Sequence, residues 1–388
     1  MIARNIILFI LLIVLPDLYI DYRFFRKGRH LHLWQRLLWW MPAAMLLAYT
    51  CYLANMPHFI PEKSWLLDAW LFLLGIIVIS KFLFALCSVL GLAHNRYHNA
   101  NTRLGEYFGV AIAVIVVISF IYGMTVGFSK LEVREVEMRC ADLPSAFDGY
   151  RIVQFSDAHV GTYSGCRKDI LHHAVDMINA QKADAVVFTG DLQNIKPSEL
   201  AEQSDLLGSL KAKDGVFSVL GNHDYSEYVD LPLKEKIANE RSTVALERSF
   251  GWQLLLNEHK VVRRGADSLV IAGEENDGLP PFPAKGDLNK TLSGVGDGAF
   301  VVLLQHDPSA WRRSILPESK AQVTLSGHTH GGQISLFGFR PTMQKGSEDY
   351  GLYESDGRYL YVSSGLGGVV PFRLSMPGEI VVITLKKE

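Results

Sequence analysis

What this sequence has little of narrows it first. Net charge is scarce: 38 Lys and Arg against 40 Asp and Glu leave a formal charge of -2 at pH 7. With a pI of about 6.7, no overall basic field argues for nucleic acid. Cysteine is scarce too. Of the four, Cys51 and Cys87 lie in apolar runs, and no C-x-x-C spacing offers a zinc knuckle. Cys140 and Cys166 have the option of pairing in an extracytoplasmic domain, but they read as two unrelated buried thiols. Repeats and low-complexity tracts are missing.

Hydrophobic residues are plentiful, at 49% of the 388, and the mean hydropathy of +0.14 is high for a soluble enzyme. The excess sits in the first third, with Trp34, Trp39, Trp40, Trp65 and Trp70. Four segments there are long and apolar enough to span a hydrocarbon core, near Ile2–Ile20, Leu33–Leu53, Leu66–Ala93 and Tyr107–Phe128. Arg4 followed by Ile6–Leu15 has the layout of a signal peptide. No small-residue cleavage site follows, and the next residues are strongly charged, so the segment reads as a span.

Basic residues set the expected orientation. The first connection, Asp21–His32, carries Arg23, Arg26, Lys27 and Arg29, and the third, His94–Gly105, carries Arg96 and Arg103. The second, Ala54–Ser64, has only Lys63, balanced by Glu62. Both basic connections read as cytoplasmic, which places the domain after Phe128 on the extracytoplasmic side. Trp34, Trp39 and Trp40 fit an interfacial belt at one end of the second span. Arg36 and Asp68 sit near span ends, within reach of water. Asp17 and Lys81 lie deep in their spans, where charge is expensive. They are expected either to pair or to snorkel separately to an interface.

From about Leu131 the composition is that of a globular α/β domain, so the chain divides into 1–128, with the spans, and 129–388. Short apolar runs alternate with helical patterns. Strands are expected at Arg151–Ser156, Ala185–Thr189, Val216–Leu220, Trp252–Leu256, Lys260–Arg264, Leu269–Ala272, Phe300–Leu304, Gln322–Leu325, Tyr359–Val362 and Ile380–Leu385. Helices are expected at Arg167–Gln181 and Ser198–Leu210. Several strands look antiparallel, joined by turns such as Gly265–Asp267, and Glu274–Gly298 is the longest expected loop. A two-layered β core flanked by helices fits this order.

Polar residues of one chemical kind follow five of these strands. They are Ser156-Asp157-Ala158-His159, Gly190-Asp191, Gly221-Asn222-His223-Asp224, Gln305-His306-Asp307 and Gly327-His328-Thr329-His330. In open α/β sheets, ligands bind beyond the carboxyl ends of strands. Carboxylate oxygen and imidazole nitrogen suit hard and borderline divalent ions. Asp157 and His159, like His328 and His330, are two apart, so in an extended segment both members point the same way. Asp191 has two oxygens with which to bridge a pair of ions. Two metals about 3.5–4 Å apart clamp a phosphoryl group and lower the pKa of water. Singly, Asp157 or Asp191 is readily an N-cap, His306 a loop histidine, and His223 and Asp224 a solvated turn. Five together, each at a strand end, leave that account little room.

The ordered set D-x-H, G-D, G-N-H-D, H and G-H-x-H resembles the signature of calcineurin-like metallophosphoesterases over roughly Leu131 to Glu388. Ser326–Gln333, with Gly365-Leu366-Gly367 and Pro371-Phe372-Arg373, looks like the YaeI/YkuE-type branch of membrane-associated phosphodiesterases. The resemblance implies a four-layer α/β/β/α sandwich and two divalent ions, with Mn, Zn or Fe all suited to such ligands. It places Asp157, His159 and His330 on one metal and Asn222, His306 and His328 on the other, with Asp191 bridging. His223 is implied as the acid for the leaving alkoxide, its ring oriented by Asp224. Arg373 is expected either to bind a phosphate oxygen through its planar fork or to be an ordinary surface arginine.

The expected function is metal-dependent hydrolysis of a phosphodiester or pyrophosphate, lipid-linked or in the envelope because the domain adjoins the bilayer. A catalytically silent binding module is the competing class, but such relatives lose ligands or the histidine of G-N-H-D, and this chain keeps both. A nuclease lacks its basic patch here. A protein phosphatase is a further alternative. A transporter needs more than one deep Asp and one deep Lys.

Overall fold

The computed structural model describes residues 2–29, 31–56 and 63–388. Glu62 of the second connection and the Arg29 side chain of the first lie outside what is described. The chain forms two compact units, Met1–Thr125 and Val126–Glu388.

In the first unit, the helices Ala3–Lys27, Leu33–Ala54, Ser64–Tyr97 and Leu104–Gly127 are long and apolar enough to cross a membrane. The basic stretch expected as a connection is helical instead, continuing as a π-helix over Asp21–Arg29. Two of its charges have partners within the unit: Arg36 donates twice to Asp21, at 2.7 and 2.8 Å, and Arg23 donates to Glu106 at 2.9 Å. Asp68, expected to reach water, is 8% exposed. Asp17 and Lys81 do pair, with Nζ at 2.8 and 3.1 Å from the two carboxylate oxygens. The same ammonium lies 4.5 Å from the Trp39 ring centroid. The third and fourth helices approach closely through glycine, since a Cβ on Gly91 would sit 2.7 Å from Gly105 Cα. Small residues at such crossings let helix backbones meet.

The second unit contains β1 (Leu131–Cys140), β2 (Arg151–Phe155), β3 (Ala185–Phe188), β4 (Val216–Ser218), β5 (Gln253–Leu254) and β6 (Glu258–Arg264). These are followed by β7 (Asp267–Gly273), β8 (Phe300–Leu304), β9 (Val323–Ser326), β10 (Gly351–Ser355), β11 (Arg358–Val362) and β12 (Gly378–Lys387). One sheet has the order β1-β12-β2-β3-β4-β5 and the other β10-β11-β9-β8-β7-β6. Strands β2 to β5 are mutually parallel, as are β11, β9, β8 and β7. Between these strands the antiparallel pairs are β12 with β2, β10 with β11, and β6 with β7.

Side-chain alternation along the strands builds the layers. Ala185 and Val187 of β3 pack with Ile271 of β7 and Val302 of β8 between the sheets. Val186 and Phe188 turn the other way, onto Leu171, Ala174 and Ile178 of the helix Lys168–Ala180. On the far face, Val301 and Leu303 meet Trp311 and Ile315. The result is the four-layer α/β/β/α sandwich.

The elements not legible in the sequence include β10, β1 and the helix Leu233–Ser249. β1 carries Glu132, Arg134, Glu135, Glu137 and Arg139, a charge pattern suited to an edge strand. The helix Leu233–Ser249 fully buries only Thr243 and Glu247, so it has no apolar stripe. The expected helix Ser198–Leu210 is two single turns, Ser198–Ala201 and Ser204–Leu207, each burying one leucine. All four cysteines are free, and Cys166 is exposed rather than buried.

Candidate metal centre

The five polar segments leave the carboxyl ends of β2, β3 and β4 in one sheet and of β8 and β9 in the other. Their side chains converge. The ligand atoms of Asp157, His159 and His330 lie within 4.8 Å of one another, as do those of Asp191, His306 and His328. His159, Asp191 and His223 form a third such group. Asp191 connects them: its Oδ2 is 3.7 Å from His159 Nε2 and 3.3 Å from His306 Nε2.

Backbone strain marks the same residues. Asp157, His159, Asp191, His328 and His330 have φ of 49°, 48°, 63°, 73° and 53°. Each left-handed residue of this kind costs on the order of 1–3 kcal/mol and persists only where its surroundings over-determine it. They do so here. His328 N–H donates to the Asp157 carboxylate at 3.0 and 3.1 Å, and His223 N–H donates to Asp191 Oδ1 at 2.8 Å. Asp157 and Asp191 therefore hold the neighbouring ligand loops; neither caps a helix. Glycine permits the approach, because a Cβ on Gly327 would fall 2.3 Å from Asp157 Oδ2 and one on Gly221 would fall 2.2 Å from Asp191 Oδ1.

The donor set fits divalent cations. Asp157, His159 and His306 are 0% exposed, and Asp191 is 1%. Among the described residues, both ring nitrogens of His159 and Nδ1 of His330 are buried with no hydrogen-bond partner. Unmet buried polar atoms are costly, and a cation would satisfy them. Burial, with His223 adding, lowers the pKa of His159 to about 3. Burial and the neighbouring His306 lower His328 to about 4. Burial also holds His330 well below the usual histidine range. Burial thus favours the neutral imidazole, with a lone pair to offer, at all three. His306 differs: burial opposes its charge, but the Asp191 carboxylate overrides this and raises its pKa to about 10.

Neighbouring groups orient the candidate ligands. His306 Nδ1 faces the Thr189 carbonyl at 2.7 Å, leaving Nε2 toward Asp191. Asn222 donates through Nδ2 to Tyr228 at 2.8 Å, so its Oδ1 faces His306 Nε2 at 3.1 Å and His328 Nδ1 at 2.7 Å. Tyr228 left no signal in the sequence, standing alone in a turn.

Two expected roles are corrected. Asp224 does not orient His223. It accepts four backbone N–H bonds, from Asp191 and Gly221 at 2.8 Å, Leu192 at 2.9 Å and Gln193 at 3.2 Å, tying the β3 and β4 loops together. The partner of His223 Nδ1 is the Asn194 carbonyl at 2.6 Å, an acceptor that no side-chain motif reveals. Arg373 is neither a phosphate ligand nor a surface residue. It is 0% exposed, and its guanidinium donates to the carbonyls of Ser364, Gly365, Gly367, Met376 and Pro377 at 2.6–3.2 Å. It shapes the Gly365 turn, where a Cβ would meet Asp157 Cβ at 2.6 Å.

Above the centre lies a cleft of about 770 Å³, lined by Asp191, Asn222, His223, His328 and His330 at its floor. The long loop 274–298 contributes to its wall: Leu279 and Phe282 line it, and the Phe282 ring stands edge-on to His328 at 4.6 Å. Residues of the segment 341–349, which sequence reading did not single out, also line it.

A two-sheet sandwich with a buried His, Asp and Asn centre at the strand ends, preceded by four apolar helices, defines a class: a membrane-embedded metallophosphoesterase. Residues 150–332 match the Calcineurin-like phosphoesterase family, and residues 3–128 match "Probable Calcineurin-like phosphoesterase, transmembrane domain". A Danio rerio protein named "Transmembrane protein with metallophosphoesterase domain" is 30% identical over 84% of this chain and 75% of its own length. The Bacillus subtilis metallophosphoesterase YkuE is 31% identical over 66% of this chain and 86% of its own. An Aquifex aeolicus metallophosphoesterase is 30% identical over 66% and 92%. The chain belongs to the calcineurin-like phosphoesterases, and is an integral membrane hydrolase acting on phosphoester bonds.

Proposed function

We propose that residues 129–388 form the catalytic domain and hydrolyse a phosphodiester or pyrophosphate that is lipid-linked or in the envelope. Asp157, His159 and His330 would hold one divalent cation and Asn222, His306 and His328 the other, with Asp191 shared. Bound there, the cations supply Lewis-acid activation of water and charge neutralisation at the phosphoryl group; Mn²⁺, Zn²⁺ and Fe all suit these ligands. The supporting observation is the position of Asp191 Oδ2 between His159 and His306.

The chain's own groups do the rest. His223 Nδ1 is engaged by the Asn194 carbonyl, so Nε2 is the nitrogen left to carry a proton to the leaving alkoxide. Phe282 and Leu279 exclude water on one side. Positive residues collecting in the first and third connections favour an extracytoplasmic catalytic domain. The near-zero net charge gives no overall basic field to favour nucleic acid. Full-length protein with Mn²⁺ should cleave a soluble bis-aryl phosphodiester, and Asp191→Ala should abolish that activity. Equal turnover by the variant would remove the proposal.

A further inference from the structure

The segment that follows His330 ends in an apolar, strained tip. Ser335 N–H donates to Leu374 O and Leu374 N–H to Gln333 O, both at 2.9 Å, which carries the chain outward on a short ladder. Leu336 and Phe339 then exchange both backbone hydrogen bonds at 2.9 Å. This leaves Phe337 and Gly338 at the turn with φ of 53° and 83°. A two-residue turn with both central residues left-handed calls for Asn, Asp or Gly, and an aromatic residue there is a genuine outlier. Phe337 is nevertheless present and fully exposed, at 109%, with Phe339 at 65%. Leu336 and Met343 are exposed beside them, and none of the four lines the cleft. Folding gains nothing from a strained phenylalanine in water. Its use lies outside the chain.

The tip stands on a firm base. Arg340 makes a bidentate pair with Asp349 at 2.7 and 2.9 Å, Thr342 donates to the same carboxylate at 3.0 Å, and Arg312 pairs with Glu348. Immediately after the tip, Pro341, Thr342 and Gln344 line the cleft. One stiff loop therefore joins an exposed aromatic tip to the wall of the phosphoester site. The chain also names the apolar surface on offer. Only residues 128–130 separate the last apolar helix from β1, so a bilayer stays within reach of every catalytic unit. Exposed Lys345 in the same loop suits the headgroup level.

We propose that the 336–339 tip inserts into the bilayer interface, that the cleft thereby opens at the membrane surface, and that the substrate is a phosphoester of a membrane lipid. This rests on the phosphoesterase reading and names its substrate class.

The test uses full-length protein in phospholipid vesicles. A photoreactive residue is introduced as Phe337→p-benzoylphenylalanine and, as control, Asp356→p-benzoylphenylalanine in the β10–β11 turn. Irradiation should attach labelled phospholipid at 337 several-fold above 356. An adduct to protein, including a second copy, or no lipid adduct above the control, overturns the proposal. In parallel, Phe337→Ser with Phe339→Ser should keep turnover of a soluble bis-aryl phosphodiester within about twofold. It should lower cleavage of a vesicle-borne lipid phosphodiester at least tenfold. An equal change on both substrates, or none on the lipid, also overturns it. Failure of the unaltered protein on the soluble ester would instead remove the phosphoesterase reading, a distinguishable result.

Discussion

Asp191 Oδ2 stands 3.3 Å from His306 Nε2 in a site where both residues are buried. The two groups favour a shared proton: the carboxylate raises the His306 pKa to about 10, while its own falls well below the usual range despite burial, chiefly because of His306. A divalent cation held by His306 and Asp191 would take the place of that proton.

The pH dependence of stability follows. Because the folded pKa of His306 is raised from 6.5 to about 10, its stabilising contribution is complete below pH 6.5 and is lost as pH climbs toward 10. In the presence of EDTA, stability should fall between pH 7 and pH 9, by up to ~1.4 kcal/mol per pH unit. Thermal melts of the full-length protein should show this slope, and saturating Mn²⁺ should flatten it.

Arg373 tests whether buried carbonyls or phosphate are its partners. Leaving five carbonyl acceptors without their donor should cost more than about 3 kcal/mol. Arg373→Met should therefore lower the melting temperature markedly and reduce metal occupancy through the Gly365 turn. A rise in KM at unchanged stability would instead mark a substrate contact.

Asp224 should behave as a tie between loops. Charge-assisted bonds to backbone N–H groups are strong, and an amide oxygen cannot replace both carboxylate oxygens. Asp224→Asn should weaken metal binding at least tenfold while leaving the pH position of the alkaline limb of kcat unchanged. A shifted limb at full metal occupancy would return Asp224 to His223.

In the apolar unit, the Asp17–Lys81 pair predicts rescue. Removing either partner of a buried pair costs about 3–5 kcal/mol, so Asp17→Lys and Lys81→Asp should each reduce folded yield. The double reversal should recover much of it, as judged by gel filtration of the detergent-extracted protein. No recovery would place each charge with other partners.

Much of the centre was legible because its residues are of one chemical kind and follow apolar runs directly. The left-handed backbone at Asp157, His159 and Asp191 was not, since positive φ is signalled by glycine and none of the three is glycine. Main-chain partners stayed hidden as well. The Asn194 carbonyl on His223 and the carbonyls around Arg373 carry no side-chain signature. The polar helix Leu233–Ser249 and the charged edge strand β1 lack the periodic apolar pattern from which elements are read.

The most direct measurement is the metal content of full-length protein by elemental analysis, joined to anomalous scattering from metal-loaded crystals. Two ions per folded molecule, about 3.5–4 Å apart and joined through Asp191, are predicted. Fewer than one ion per folded, metal-supplemented molecule, or ions bound away from Asp191, would contradict it.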